Sequence, residues 1–547
     1  MPIAWAAFLT LLIAGPWLGA GYIFGTDWPG PRRFDFPHDL SSSALLQVLL
    51  ATAARFLSGE ATAKLFIFGL LFVAVSTVYR AVPTGGFAPR AVGSVVYVFN
   101  PFVYGRLQYG QLFLLAGYAV LPWVALRLRN LLVKPGVATA LIAALSFAIL
   151  GILSIHLFLV AGGLGAVLVL TYTIAAKDKA AYLKRLVPAL LLTVATTLGA
   201  SAYWVIPVLI GRGPEGTLIG GIGGGDLTAY AAIPDQHLGL LPNLLGLYGF
   251  WAEGTGRFAS MKDFVPLWPA VLLLLLVVGA IGAIAGFRQT RDRITPWVAG
   301  LLVAAAIALI LEAGTSQPMT SVLVKWLDGV PIYRGMRDAG KWAALLALVY
   351  SQLIGLGAAA ILGWLGQGRT AAVTRDWLQP IATGLLLAFP LYYGNGLLFG
   401  THGEIKPSQY PPGWYAADQV LAADHHARRA LFLPWHEYMG LSFVQNQNHV
   451  VASPAPTFFS VPVLVSADPQ VPGVLPPESP DQVAISSLVR DGGQASWAEV
   501  LAGRGIKYVL VAHELDWNSY SYLDQQPGLV RVGDFGSIVL YRDALMN

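Results

Sequence analysis

The stretch Asn100-Pro101-Phe102-Val103-Tyr104-Gly105-Arg106-Leu107-Gln108-Tyr109-Gly110-Gln111 joins two apolar runs, residues 91–104 and 111–128. Asn-Pro and two glycines break a helix here, and Arg106, Gln108 and Gln111 are too polar to face lipid. Irregular backbone at membrane depth is tolerated only beside protein or a water-filled cavity. The segment therefore reads as a cavity wall. The alternative is a tight turn whose Arg106 snorkels to headgroups.

Working outward, apolar runs recur at 3–25, 64–82, 91–104, 111–128, 136–153, 156–176, 186–210, 265–287, 296–312, 342–364 and 379–399. Most are long enough to cross a hydrocarbon core, which needs about 20 residues. The composition agrees: 56% of the 547 residues are hydrophobic and 12% charged, where soluble domains carry about a quarter. A mean hydropathy of +0.62 excludes a single soluble globule. With Cys 0 there is no disulfide, thiolate metal site or cysteine nucleophile. The first run has neither a basic leading region nor a small-residue cleavage site, so it reads as a retained helix starting inside.

Cytoplasmic loops collect Lys and Arg. The loops that face inward on this reading hold fourteen, from Arg80 and Arg90 through Lys184 and Arg185 to Arg291, Arg293, Arg369 and Arg375, against Asp178, Asp292 and Asp376. That is +11 inside and −6 elsewhere, so the overall +5 is a gradient across a membrane and not a nucleic-acid signature. The reading is a polytopic α-helical protein of the plasma membrane, with about 11 transmembrane helices in residues 1–400 and outer loops at 26–63, 211–264 and 313–341. Residues 401–547 form an extracytoplasmic α/β or α+β domain. Its expected elements are a helix over 413–425, strands over 430–433 and 508–512, a helix over 496–502, and a hairpin from 529–532 to 538–541.

Charge near the bilayer is costly, so its placement points to function. The first outer segment holds Asp27, Asp35 and Asp39 with Arg32, Arg33 and His38, and an amphipathic stretch over 41–57 suited to the interface follows. Three carboxylates there include a candidate general base; the alternative is a solvated, anchored loop. A third segment, 212–263, carries Asp226, Asp235, His237 and Glu253 around Gly220–Gly225, which reads as a mobile hinge. That glycine run follows no strand and opens no clear helix, so it is no nucleotide-phosphate cradle. A fourth holds Arg334, Arg337 and Lys341, with Glu312 nearby in sequence. Three cations within eight residues at a helix start suit a phosphate or pyrophosphate group; the alternative is binding of anionic lipid headgroups. Arg106, Gln108, Gln111, His156, Asp226, His237 and Glu312 make the expected cavity set. The chain has no H-E-x-x-H, Walker A or G-x-S-x-G sequence and no spaced His/Cys ligand set, which argues against ATP or zinc hydrolysis.

These features together resemble the GT-C membrane glycosyltransferases. The Asn100-Pro101-Phe102 element, its following Arg106 and Gln111, then Tyr118 and Leu121-Pro122-Trp123, are similar to the N-terminal membrane region of the actinobacterial arabinofuranosyltransferases. Arg337-Asp338-x-x-Lys341-Trp342, and in the tail Leu433-Pro434-Trp435, Asn446-x-Asn448 and Gly505-Ile506-Lys507-Tyr508-Val509, resemble motifs of the same group. The resemblance implies a polyprenyl-phosphate-linked sugar as donor, a glycan or glycolipid acceptor, and an acidic base in the first outer loop. Asp27 matches that base, with Asp35 and Asp39 as rivals because an acidic doublet of some relatives is missing. Arg334, Arg337 and Lys341 would hold the donor phosphate, transfer would invert the anomeric carbon, and the metal requirement, a divalent cation included, stays open. A transporter or flippase of lipid-linked sugars and a non-catalytic glycan-binding scaffold are the competing readings.

Overall fold

A computed structural model describes residues 2–288, 294–327, 329–367, 372–445, 450–474 and 478–546. Arg291, Arg293, Arg369, Asn446 and Asn448 lie outside the described residues. The chain divides into two units: Met1–Pro16, Pro37–Leu49 and Leu65–Gly403 make the first, and Trp17–Phe36, Leu50–Lys64 and Glu404–Asn547 the second. The second unit is thus discontinuous, drawing in segments read from sequence as part of the first outer loop.

The first unit is helical. Among the described residues, seven helices are long and apolar enough to cross a membrane, and an eighth crossing results if Trp377–Tyr393 and Asn395–His402, bent by 69°, are one span. The chain is a multi-pass membrane protein. All eleven expected runs fall on helices, but Pro2–Leu18, Phe87–Val98 and Val137–Leu153 are shorter than a full span, so a count of eleven is not confirmed. The first run, read to residue 25, stops as an α-helix at Ala14 and ends in a 3-10 turn, Gly15–Leu18. Gly15-Pro16 accounts for the stop, since proline cannot donate to the ladder and clashes with the preceding turn. Helices Trp268–Arg288 and Ala343–Gln367 approach closely because Gly282 faces the backbone of Leu353 and Gly357 that of Val278; a Cβ at either would collide.

The amphipathic stretch forms helix Ala44–Phe56, with Leu46 and Leu50 buried and Leu45, Leu49 and Phe56 exposed. The glycine run joins two short helices: Gly213–Gly221 is helical and Gly224–Ala229 opens a second. Asp226 makes that start possible by accepting from the Gly223 amide at 3.0 Å, so a polar side chain supplies what the glycines lack.

The second unit is α/β. Strands β1 (Phe24–Gly25) and β2 (Trp28–Pro29) form a small hairpin, and β4 (Tyr438–Gly440) pairs with β5 (Val450–Ala452). The main sheet contains β3 (Ala430–Leu433), β6 (Val463–Leu464), β7 (Tyr508–Ala512), β8 (Leu529–Asp534) and β9 (Ile538–Asp543), in the order β6-β3-β7-β9-β8. β6, β3 and β7 are parallel, and β9 pairs antiparallel with β7 and β8. Side-chain alternation builds a core on each face. Phe432 and Leu510 pack with Trp414 and Phe458 on one, and Leu433 and Val511 with Ile485 and Trp497 on the other. Helix Pro412–Ala423, β3 and β7 fall where the sequence places them; helix Pro480–Asp491 and strands β4, β5 and β6 are additional. Lys507, in the Gly505–Val509 motif, pairs with Asp424 at 2.8 Å, and with the Tyr508 hydroxyl it holds that carboxyl down to about 2.

Candidate functional site

In the first unit, Asn100 starts the short buried helix Pro101–Gln108: its Oδ1 accepts from the Val103 amide at 3.1 Å and its Nδ2 donates to the Tyr97 carbonyl. Tyr118 fixes this cap. Its ring stacks on Tyr97 at 4.1 Å, and each hydroxyl donates to the other residue's carbonyl, at 2.6 and 2.7 Å. The helix ends by carrying Arg106 into the protein, 1% exposed, which rules out snorkelling. Arg106 donates to both carboxyl oxygens of Asp338, at 2.5 and 3.2 Å, and to Gln111 Oε1 at 2.6 Å, with its guanidinium 4.0 Å from the Phe250 ring centre. Burial pushes the Asp338 carboxyl up, but Arg106 and Lys341 outweigh it and hold it below the usual carboxylate range.

Asp338 in turn caps the turn Ala339–Trp342 by accepting from the Gly340 amide at 3.1 Å, and this places Lys341, 8% exposed, beside it. Arg337 points the other way, bonding Asp226 at 2.7 Å and lying over Tyr230 at 4.7 Å. His156, at the start of helix Ile155–Ala175, hydrogen-bonds the Gly335 backbone within electrostatic reach of Lys341, Arg106 and Arg337. Glu312 completes the group. It is fully buried near Arg106 and Asp338, and neither of its carboxyl oxygens has a hydrogen-bond partner among the described residues.

One end of the helical unit thus gathers Arg106, Gln111, His156, Asp226, Glu312, Arg337 and Lys341 from five separate stretches of chain. Arg334 is half-buried in the adjoining short helix Pro331–Arg334. Two expected members do not join. His237 is exposed on the turn Asp235–Gly239, and Gln108 donates its Nε2 to the Tyr104 hydroxyl at 3.3 Å. The cations of the Arg334–Lys341 segment stand beside carboxylates, Asp226 pairing with Arg337 and Asp338 lying against Arg106 and Lys341. The Asp226–Arg337 pair is 111 residues apart in sequence, so no local pattern announces it. Among the described residues no three His, Asp or Glu side chains are grouped to hold a metal ion.

In the second unit, Asp27 sits in the tight turn between β1 and β2, not directly beyond the first helix. Tyr438 on β4 donates its hydroxyl to Asp27 Oδ1 at 2.8 Å. The arginines of this segment are structural: Arg32 bonds Asp418 at 2.6 Å between Tyr415 and Phe458, and Arg33 bonds the Phe459 carbonyl at 2.6 Å. Asp35 is exposed and paired with Arg33 at 3.0 Å; Asp39, in the first unit, is exposed.

Against solved structures, arabinofuranosyltransferase AftD from Mycobacteria aligns over 99% of this chain with a TM-score of 0.61 at 16% identity. The chain has the GT-C fold. A structure of an AftD mutant aligns over the same share, with a TM-score of 0.59 at 16% identity. The GT-C likeness extends across nearly the whole of this chain but spans about 40% of AftD's own length. An Archaeoglobus fulgidus oligosaccharyltransferase aligns more loosely, TM-score 0.48 at 15% identity, over 93% of this chain and 68% of its own. No protein-family model matches, and no curated protein does.

Proposed function

We propose that this chain transfers a sugar from a polyprenyl-phosphate-linked donor to an extracytoplasmic glycan or glycolipid acceptor, in cell-envelope assembly and with inversion. The observation that carries the reading is the buried ionic cluster at one end of the helices of a GT-C fold. Buried charge at membrane depth costs several kcal/mol, and such groups mark substrate paths. Lys341 and Arg337, with Arg334, take charge off the leaving phosphate, and Asp27 deprotonates the acceptor hydroxyl. Arg106 orients Asp338 and through it Lys341.

The test is transfer of radiolabelled arabinofuranose from a polyprenyl-phosphoryl donor by the full chain in lipid nanodiscs, the sugar chosen from the likeness to AftD. Lys341→Met is expected to raise the donor KM about tenfold, as loss of one charge-assisted contact does, with the acceptor KM unchanged. Arg337→Lys, which keeps the charge but loses the fork, shows a smaller rise. Donor KM values equal to wild type in both variants would remove the phosphate role.

The orientation is part of the proposal, with the N-terminus cytoplasmic and residues 401–547 outside. Ser521 is exposed and the chain lacks cysteine, so Ser521→Cys carries a single reporter. It is expected to react with an impermeant maleimide in intact cells; labelling only after lysis reverses the topology.

A further inference from the structure

The parallel strands β6, β3 and β7 present their carboxyl ends at one edge of the second unit's sheet. The chain leaving β3 runs over one face, where Phe458 and Phe459 pack with Phe432, and the chain leaving β6 crosses the other, where Ile485 and Leu488 pack with Leu433. Neighbouring strands whose outgoing chains part to opposite faces open a crevice at their carboxyl ends, the usual ligand position in open α/β sheets.

Each of the three strands delivers a polar side chain to that edge. His436, three residues past β3, lies with Nδ1 2.7 Å from Gln470 Nε2 and Nε2 3.2 Å from Asp516 Oδ1. The carboxylate only accepts, so Nε2 carries the proton and Nδ1 accepts from the Gln470 amide. Gln470 and Leu515 hold φ of +54° and +46°, left-handed values that cost a side-chain-bearing residue energy and gather at functional sites.

Aromatic surface flanks this trio. Trp435 is half-buried and locked, its Nε1 donating to Ser486 Oγ at 3.0 Å and its amide to the Tyr520 hydroxyl at 3.0 Å. His513 stacks on half-buried Trp517 with ring centres 4.0 Å apart, and the buried Nε2 of His513 has no hydrogen-bond partner among the described residues. Asp516 is about half exposed.

We propose that this edge is a binding site for a neutral glycan. Fixed indole faces suit the C–H face of a sugar ring, and an amide, an imidazole and a carboxylate beside them suit its hydroxyls. A phosphate-bearing ligand is disfavoured, because the ionised group at the centre is a carboxylate. The proposal stands on the second unit alone and does not depend on glycosyl transfer.

The test is saturation-transfer NMR on the full chain in nanodiscs with arabinohexaose and, as an unrelated neutral glycan, maltohexaose. At least one probe is expected to bind, with Asp516→Asn weakening it about tenfold through loss of a charge-assisted hydrogen bond and Trp517→Ala abolishing the signal. Asp516 is exposed enough for its Asn variant to keep the fold, which circular dichroism checks. Absence of binding by both glycans, affinity unchanged in both variants, or transfer only to a proline-rich peptide tested alongside would overturn the proposal.

Discussion

Asp27→Asn is expected to lower the rate of sugar transfer by a factor of about 10²–10⁴, the range for removing a general base. The substitution is suited to the question because Tyr438 donates to Asp27 Oδ1, and asparagine keeps an oxygen acceptor there. The turn between β1 and β2 therefore keeps its anchor while the group that takes the proton is lost. Asp35→Asn breaks only an exposed pair with Arg33, and Asp39→Asn removes an exposed carboxylate, so both should transfer within about threefold of wild type. The assay is radiolabelled sugar transfer with the three variants beside the wild type. Full activity in Asp27→Asn would place the base elsewhere or show that transfer is not the activity.

Arg106→Met is expected to destabilise the first unit by about 3–5 kcal/mol, because it leaves the Asp338 carboxylate buried without its bidentate partner. Asp338 is 5% exposed, so water cannot replace the guanidinium. Asp338→Asn keeps the shape and an acceptor for the Gly340 amide, and is expected to cost less. The double variant Arg106→Met/Asp338→Leu should recover much of the loss, since apolar replacements of a buried pair are often nearly neutral. Thermal unfolding of the full chain in one detergent measures all three. An Arg106→Met protein as stable as wild type would show that the pair contributes little.

The spans were legible because lipid demands apolar length, and the Asn100–Gln111 break because Asn-Pro and Gly110 leave few backbone options. The count was not, since a 12-residue helix such as Phe87–Val98 and a long core run look alike in one dimension. β3 and β7 were legible as short apolar runs bounded by polar or turn-forming residues, with valines and an aromatic in β7, whereas the two-residue β6 is defined only by its neighbour. At the ionic cluster, sequence supplied the cations and the carboxylates Asp226, Glu312 and Asp338, and hid which of them pair. Arg106 and Asp338 are 232 positions apart. Tyr438, the partner of Asp27, is 411 away, and only pairing in space reveals either.

The composition of the second unit from Trp17–Phe36, Leu50–Lys64 and Glu404–Asn547 sets a timetable for synthesis. Tyr22, Phe24 and Trp28 are buried in the finished unit, yet the chain that covers them follows the whole of Leu65–Gly403. At ~5–20 residues per second the ribosome takes roughly 20–70 s to bridge that interval. Through it, apolar side chains wait without their strands while the helices between them are being inserted. The unit closes last, by contacts of very high sequence separation, so its assembly is slow for topological reasons rather than for want of stability.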